Sequence, residues 1–310
     1  MHHPALARGH VAVVTGGASG IGLAAAGRFA AMGLRVVIAD LGGERLQAAC
    51  DAVGAMHADG AAAVLAVPTD VSRRNELVRL EEAALAAFGD VHVLMNNAGV
   101  QPGSGMFGPE ASWERVLGVN LWGVIHGTQT FVPGMLARGK PGLVINTGSK
   151  QGITTPPSDP AYNVSKAGVK AFTEALQHEL RNTEDARISA HLLIPGFSFT
   201  PLSAQGRSEP PAGAWTAEQT VAFMLERLEL GDFYILCPDN DVTRELDERR
   251  ILWAAGDIVE NRPPLSRWHP DYAVPAVAGA PPRQINLPAT WEPITASRVI
   301  EAEHIRCSPQ

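Results

Sequence analysis

Tyr162 and Lys166 stand four residues apart in Tyr162-Asn163-Val164-Ser165-Lys166, so a helix puts them on one face. A phenol with a reference pKa of about 10 is too weakly acidic to act as a base near neutral pH. An ammonium fixed beside it favours the phenolate, and a second positive charge adds to the effect. Bringing the pKa to near 7 takes roughly 4 kcal/mol, which two cations in a half-desolvated cleft can supply. Alone, a Tyr-x-x-x-Lys spacing is an ordinary helix face. Its chemistry depends on what surrounds it.

A second constellation lies near the N-terminus, in Thr15-Gly16-Gly17-Ala18-Ser19-Gly20-Ile21-Gly22. Glycines at the end of a strand allow a tight turn and let backbone N–H groups approach a pyrophosphate, which the following helix N-terminus stabilises. Any tight turn can use glycine. Here, however, an acid, Asp40, closes the second apolar run 20 residues past Gly20, the spacing at which a carboxylate accepts hydrogen bonds from an adenosine ribose. Dinucleotide binding is the expectation. A carboxylate at that place repels a 2′-phosphate, and neither Gly17, Ala18, Ser19 nor Leu41 is basic. NAD is therefore expected, with NADP as the alternative; Arg45 is near in sequence but falls inside the next helical stretch. An oxidised nicotinamide would be the second positive charge near Tyr162.

The elements that must position these groups read clearly. Val11–Val14, Val36–Ala39, Ala63–Val67, Val91–Met95, Leu143–Ile145, Ile188–Ile194 and Phe233–Leu236 are short apolar runs and predict strands. Between them Ile21–Met32, Glu44–His57, Arg73–Phe88, Ala111–Arg138, Ala161–Thr183 and Ala217–Leu230 carry helical spacing. Strands and helices in alternation predict an α/β, Rossmann-like, doubly wound parallel sheet of seven strands with helices on both faces. One sheet of that size makes one domain, over residues 8–240.

The combination resembles a known family. The loop at Thr15–Gly22, Asn96-Asn97-Ala98-Gly99 after the fourth strand, and Ser149 thirteen residues before Tyr162 are similar to the motifs of the short-chain dehydrogenase/reductases. The glycine spacing is that of the single-domain branch, not the extended branch of sugar-nucleotide epimerases. The resemblance implies an NAD-dependent oxidoreductase that interconverts a secondary alcohol and a ketone. Tyr162 would exchange the proton with the substrate oxygen, Lys166 would lower its pKa and hold the nicotinamide ribose, and Ser149 would orient the same oxygen. Asn120, in Gly118-Val119-Asn120-Leu121, would anchor a water-mediated proton relay. Cofactor contacts are implied for Gly16, Ser19, Gly20, Ile21, Gly22, Asp40, Asp70, Val71, Asn97, Ala98, Gly99, Tyr162, Lys166, Pro195, Gly196 and Thr200. Two departures concern the substrate cleft. Gly148 stands where the family often has a first serine, and Ser198-Phe199 replace the usual aliphatic and acid after Pro195-Gly196. The competing readings are an NADPH-dependent carbonyl reductase, and a non-catalytic dinucleotide-binding regulator, which the presence of all four catalytic groups disfavours.

Composition narrows the rest. The 310 residues carry 25 basic and 32 acidic side chains, a formal charge of −7 that offers nucleic acid no broad cationic footprint. No apolar stretch reaches the roughly 18 uncharged residues of a membrane span, and Met1–His10 does not read as a secretory signal. Three scattered cysteines, Cys50, Cys237 and Cys307, make neither a disulfide framework nor a zinc site. A cytoplasmic protein without a metal is expected, and the family suggests a homodimer or homotetramer. Met106, Phe107, Ile153, Phe197, Phe199, Leu202 and Trp215 sit where cleft walls are expected and suit an apolar or aromatic alcohol or ketone. Lys150 and Arg207 could hold an anionic group but read first as solvated charges, and residues 201–215 read as a lid. From 241 to 310 a C-terminal extension follows. A helix with one charged face over Val242–Glu260 gives way to an arm with Pro263, Pro264, Pro270, Pro275, Pro281, Pro282, Pro288 and Pro293. Because that region carries three of the chain's six tryptophans, Trp253, Trp268 and Trp291, the arm is expected to lie extended on a folded surface, ordered at least to Trp268.

Overall fold

The computed structural model describes residues 3–204 and 206–272. Seven strands form one parallel sheet: β1 (Val11–Thr15), β2 (Arg35–Asp40), β3 (Val64–Pro68), β4 (Val93–Asn96), β5 (Gly142–Thr147), β6 (Ile188–Ile194) and β7 (Tyr234–Leu236), in the order β3-β2-β1-β4-β5-β6-β7. The helices are α1 (Gly20–Ala31), α2 (Glu44–Gly54), α3 (Arg74–Phe88), α4 (Glu110–Leu117), α5 (Gly123–Arg138), α6 (Gln151–Thr154), α7 (Pro160–Asn182), α8 (Ala217–Leu230) and α9 (Arg244–Val259).

Alternate strand residues feed opposite faces. Ala12, Val14, Val36, Ile38, Met95 and Ile145 pack with Phe29 of α1 and Val221, Met224 and Leu228 of α8. Val11, Val13, Val37, Leu94 and Val144 meet Leu77 and Leu80 of α3 and Phe131 of α5 on the other side. Both faces are covered, which is why the strands read as continuous apolar runs. The order reverses between β1 and β4, and in such sheets the crevice at that reversal, beyond the C-terminal strand ends, receives the ligand. The strand ends supply Thr15, Asp40, Asn96 and Thr147.

One predicted helix is not continuous. Between α4 and α5 the chain takes a π turn over Gly118–Trp122. Asn120, wholly buried within that turn, accepts from Val100 N at 2.7 Å and donates to Val100 O at 3.1 Å. The extra residue turns Asn120 toward the segment after β4, and the interruption is a feature of the kind π turns often mark at sites.

The chain divides into two compact units, Met1–His269 and Pro270–Gln310. In the first, the segment after α9 folds back on its own helix rather than lying extended. The buried Ser266 hydroxyl donates to Asp257 Oδ1, at 2.5 Å, and accepts from Trp253 Nε1 at 2.7 Å, and Arg262 pairs with Asp257 at 3.0 Å. A 3-10 turn over Ser266–Trp268 follows. Of the second unit only the turn Pro270–Tyr272 is described; the remaining proline-rich arm lies outside the described residues. Among the described residues no helix is long and apolar enough to cross a membrane.

Candidate active site

A cleft of about 1250 Å³ opens at the sheet reversal. Its floor starts with the glycine turn. Gly16 has φ +64° and Gly20 φ +53°, conformations that favour glycine. A Cβ on Gly16 would come to 2.7 Å from Ala98 Cα, and one on Gly22 would overlap the Gly16 carbonyl oxygen. The turn is thereby packed tightly on Asn97 and Ala98, leaving the first turn of α1 to face the cleft at Ser19, Gly20 and Ile21. Thr15 ties the two loops together: its hydroxyl accepts from Asn97 N at 3.0 Å and from Ala98 N at 3.2 Å.

At one end of the cleft lies Asp40. Its carboxylate accepts from Ala18 N at 3.0 Å, Leu41 N at 2.8 Å and the Arg45 guanidinium at 2.9 Å. Arg45, in the first turn of α2 and exposed as its sequence position suggests, is also the partner of Asp40 at the cleft rim. Asp70, Val71 and Gly99 line the same side.

At the other end, α7 presents Tyr162 and Lys166 on its buried face. Asp159 caps the helix by accepting from Tyr162 N at 3.2 Å, and Pro160 begins it. Lys166 Nζ donates to the Thr147 carbonyl at 2.8 Å and lies 5.8 Å from the centre of the Tyr162 ring. Burial lowers its pKa to about 8. Burial pushes the Tyr162 phenol up to about 12, Asp159 adds to the rise, and hydrogen bonds from the Ser149 and Gln101 side chains act in the opposite sense. The expected lowering of the phenol by Lys166 is not part of this balance. Desolvation outweighs the hydrogen bonds, and the lysine is engaged by the Thr147 carbonyl.

The cleft brings together Ser149, Tyr162, Lys166, Pro195, Gly196 and Thr200 with the glycine turn. Gly22 and Asn120 stay off its wall, Gly22 packed under the turn and Asn120 behind Val100. Of the apolar residues expected along the cleft, Phe197 and Leu202 line it. Phe107 is fully exposed and Met106 largely so. Ile153 packs against a cluster with Val169 and Leu192, and Trp215 stacks edge-on to Phe223. Trp215 also pairs with the Phe197–Phe199 segment, donating to Phe197 O and accepting from Phe199 N, each at 2.8 Å. Lys150 is not a solvated charge. It is largely buried between Asp239 and Asp247. Thr147, Gln101 and Arg45 belong to the site although no sequence motif singles them out. Thr147 acts through a backbone carbonyl, which no sequence pattern marks, and Gln101 lies in an irregular segment.

The family model of the short chain dehydrogenases matches residues 10–211. The chain is 34% identical to the 1-deoxy-11-beta-hydroxypentalenate dehydrogenase of Streptomyces exfoliatus over 264 residues, 83% of this chain and 93% of that one. It is 36% identical to 3beta-hydroxysteroid dehydrogenase 1 of Eggerthella lenta over 210 residues, 67% and 78% of the two chains. The crystal structure of a short chain dehydrogenase/reductase from Burkholderia phymatum in complex with NAD superimposes with a TM-score of 0.75 at 32% identity, covering 85% of this chain and 98% of that one. The chain belongs to the short-chain dehydrogenase/reductase family. It is an oxidoreductase of the kind that acts on hydroxyl groups and uses a nicotinamide dinucleotide.

Proposed function

We propose that the protein interconverts an apolar secondary alcohol and its ketone with NAD, and that Tyr162 exchanges the proton. The observation that carries this reading is the meeting of the Ser149 hydroxyl with the buried Tyr162 phenol in the cleft, one helical turn from Lys166. When bound, the dinucleotide takes or gives the hydride and, oxidised, brings a positive charge. Ser149 donates to the substrate oxygen and orients it, while Tyr162 removes the hydroxyl proton in oxidation or delivers it in reduction. Lys166 holds the nicotinamide ribose, and Asn120, locked to Val100, anchors a water path toward Lys166. The glycine turn and the start of α1 hold the pyrophosphate, with Asp40 on the adenosine ribose and Asp70, Val71, Asn97, Ala98, Gly99, Pro195, Gly196 and Thr200 along the remaining length. Phe197 and Leu202 favour an apolar substrate, as do the names of the two relatives, a hydroxypentalenate and a hydroxysteroid dehydrogenase. NAD-linked turnover across a panel of cyclic, aromatic and steroid-like alcohols tests the reading. Absence of turnover by folded protein across the panel, in both directions and with both cofactors, overturns it.

Two further outcomes follow from the cofactor end. NAD is preferred over NADP because Asp40 repels a 2′-phosphate, and Asp40→Ala narrows the difference in kcat/KM by removing the charge and freeing Arg45. A single charge–phosphate interaction of this kind is worth about 1–3 kcal/mol, or roughly ten- to a hundredfold. The Arg45–Asp40 pair is also what favours the second reading, an NADPH-dependent reductase, in which Arg45 would turn to the phosphate. A wild-type preference for NADP selects it. At the turn, Gly22→Ala adds a methyl where the Gly16 carbonyl stands. Overpacking of about 1–3 kcal/mol is expected, read as weaker NADH binding in a fluorescence titration and a lower melting temperature.

A further inference from the structure

Ser149 is followed directly by Lys150, whose ammonium is drawn away from solvent toward two carboxylates. Lys150 Nζ lies 2.5 Å from Asp247 Oδ2 and 3.3 Å from Asp239 Oδ2, and the three side chains are only 16%, 5% and 5% exposed. Asp247 comes from α9. Asp239 comes from the loop after β7 and has a second partner, since the same Oδ2 accepts from Phe197 N at 3.1 Å. Its other oxygen accepts from Val242 N at 2.8 Å and Asp241 N at 3.2 Å, which holds the carboxylate in place.

Gly196 lies directly against this cluster. A Cβ there would lie 2.6 Å from Asp239 Oδ2 and 3.0 Å from Lys150 Nζ. The ion cluster therefore sits against the Pro195–Phe197 segment, on one side, and against Ser149 on the other. The link to Ser149 is short. The Lys150 carbonyl accepts from Ile153 N at 3.1 Å and Thr154 N at 3.0 Å to start α6, and the Ser149 hydroxyl accepts from Gln151 N at 3.1 Å. Lys150 and Ser149 thus belong to one turn, the one that starts α6. Two carboxylates share one ammonium, and Arg250 of α9 and Arg267 are close enough to interact electrostatically with Asp247. A buried arrangement of this kind is held by geometry rather than by excess charge compensation, and losing one partner is costly.

We propose that Lys150 is a positioning residue that couples α9 to the active site, setting Ser149 and the Pro195–Phe197 segment through Asp247 and Asp239. Both acids lie beyond residue 211, where the family match ends. The coupling runs from the loop after β7 and from α9 to the cleft. Its kinetic consequence rests on the alcohol–ketone reading above, whereas its structural consequence does not.

The test uses the full chain with Asp247→Leu, which leaves the Lys150–Asp239 pair neutral and cuts only the link to α9. Asp247→Asn, which keeps an acceptor for Lys150, is the conservative control. Hydrogen exchange is expected to quicken by at least about tenfold in peptides covering Ser149–Thr154 and Pro195–Ser198 of the leucine variant. Exchange in β1 and the start of α1 stays at the wild-type rate, and the asparagine variant lies close to wild type. For the alcohol that the wild type turns over best, kcat falls by up to about 10²-fold, as expected when a reacting group is misplaced by about 1 Å. Unchanged exchange in both peptides, or an equal rise throughout the protein, overturns the coupling. Should the leucine variant not fold, Lys150→Arg, which keeps both ion pairs, and Lys150→Met in an Asp247→Asn background, which removes one carboxylate with the cation, replace it. Wild-type exchange in the second of these overturns the coupling equally. If the wild type shows no turnover at all, the functional reading fails while the exchange measurement still decides the coupling.

Discussion

Tyr162→Phe is expected to lower alcohol oxidation by about 10²–10⁴-fold or more while leaving NADH binding nearly intact. The ring is buried on the inner face of α7 and keeps its packing in the variant. Only the hydroxyl disappears, the atom on which Ser149 and Gln101 converge. Without it no group at that point of the cleft can take the alcohol proton, because Lys166 is held on the Thr147 carbonyl. Steady-state kinetics, with circular dichroism to confirm the fold and fluorescence titration to confirm NADH binding, decides the matter. Near-normal turnover by a folded variant removes Tyr162 from the mechanism.

Lys166→Met is expected to slow the same reaction and to move its pH dependence. Oxidation needs the phenolate, so its rate rises with pH through the phenol titration. In the protein alone burial holds that titration at about 12. A positive charge favours the phenolate and lowers it, so with oxidised cofactor bound the inflection is expected below the free tyrosine value of about 10. The lysine contributes while it is charged, which burial confines to below about 8. Methionine removes that cation at every pH, and the inflection rises. Each unit of rise costs about tenfold in rate well below the inflection. Reduction runs the other way: it needs the neutral phenol, is lost at high pH, and suffers less from the substitution. An unchanged oxidation profile would mean that Lys166 does not tune Tyr162.

Much of the fold and of the site is legible in the chain alone. Seven apolar runs announce seven strands because a strand covered on both faces is apolar at most of its positions. Loop, acid, serine, tyrosine and lysine are legible for a related reason. Gly16 and Gly20 are required by backbone angles within a single turn, and Tyr162 and Lys166 are neighbours through the period of one helix. What escapes a sequence reading is non-local. Lys150 reads as a solvated charge, yet its partners lie 89 and 97 residues further along, at Asp239 and Asp247. Asp247 itself reads as one member of a charged helix face and is instead buried. Trp215 is expected on the cleft wall because its loop follows β6, but pairing with the Phe197–Phe199 segment directs it to Phe223.

The amino-acid sequence by itself determined the order of elements, the doubly wound sheet and the residue types available at the strand ends, since periodicity and turn chemistry act within a few residues. Only the tertiary structure decided which charges are buried and what they face. It set the π turn that delivers Asn120 to Val100, the Thr147 carbonyl that claims Lys166, the pairing of Arg45 with Asp40 and the position of the Tyr162 titration. Burial is a property of the whole packed molecule. The free energy of a charge changes by several kcal/mol when water is removed from around it, and no local pattern of residues records whether that has happened.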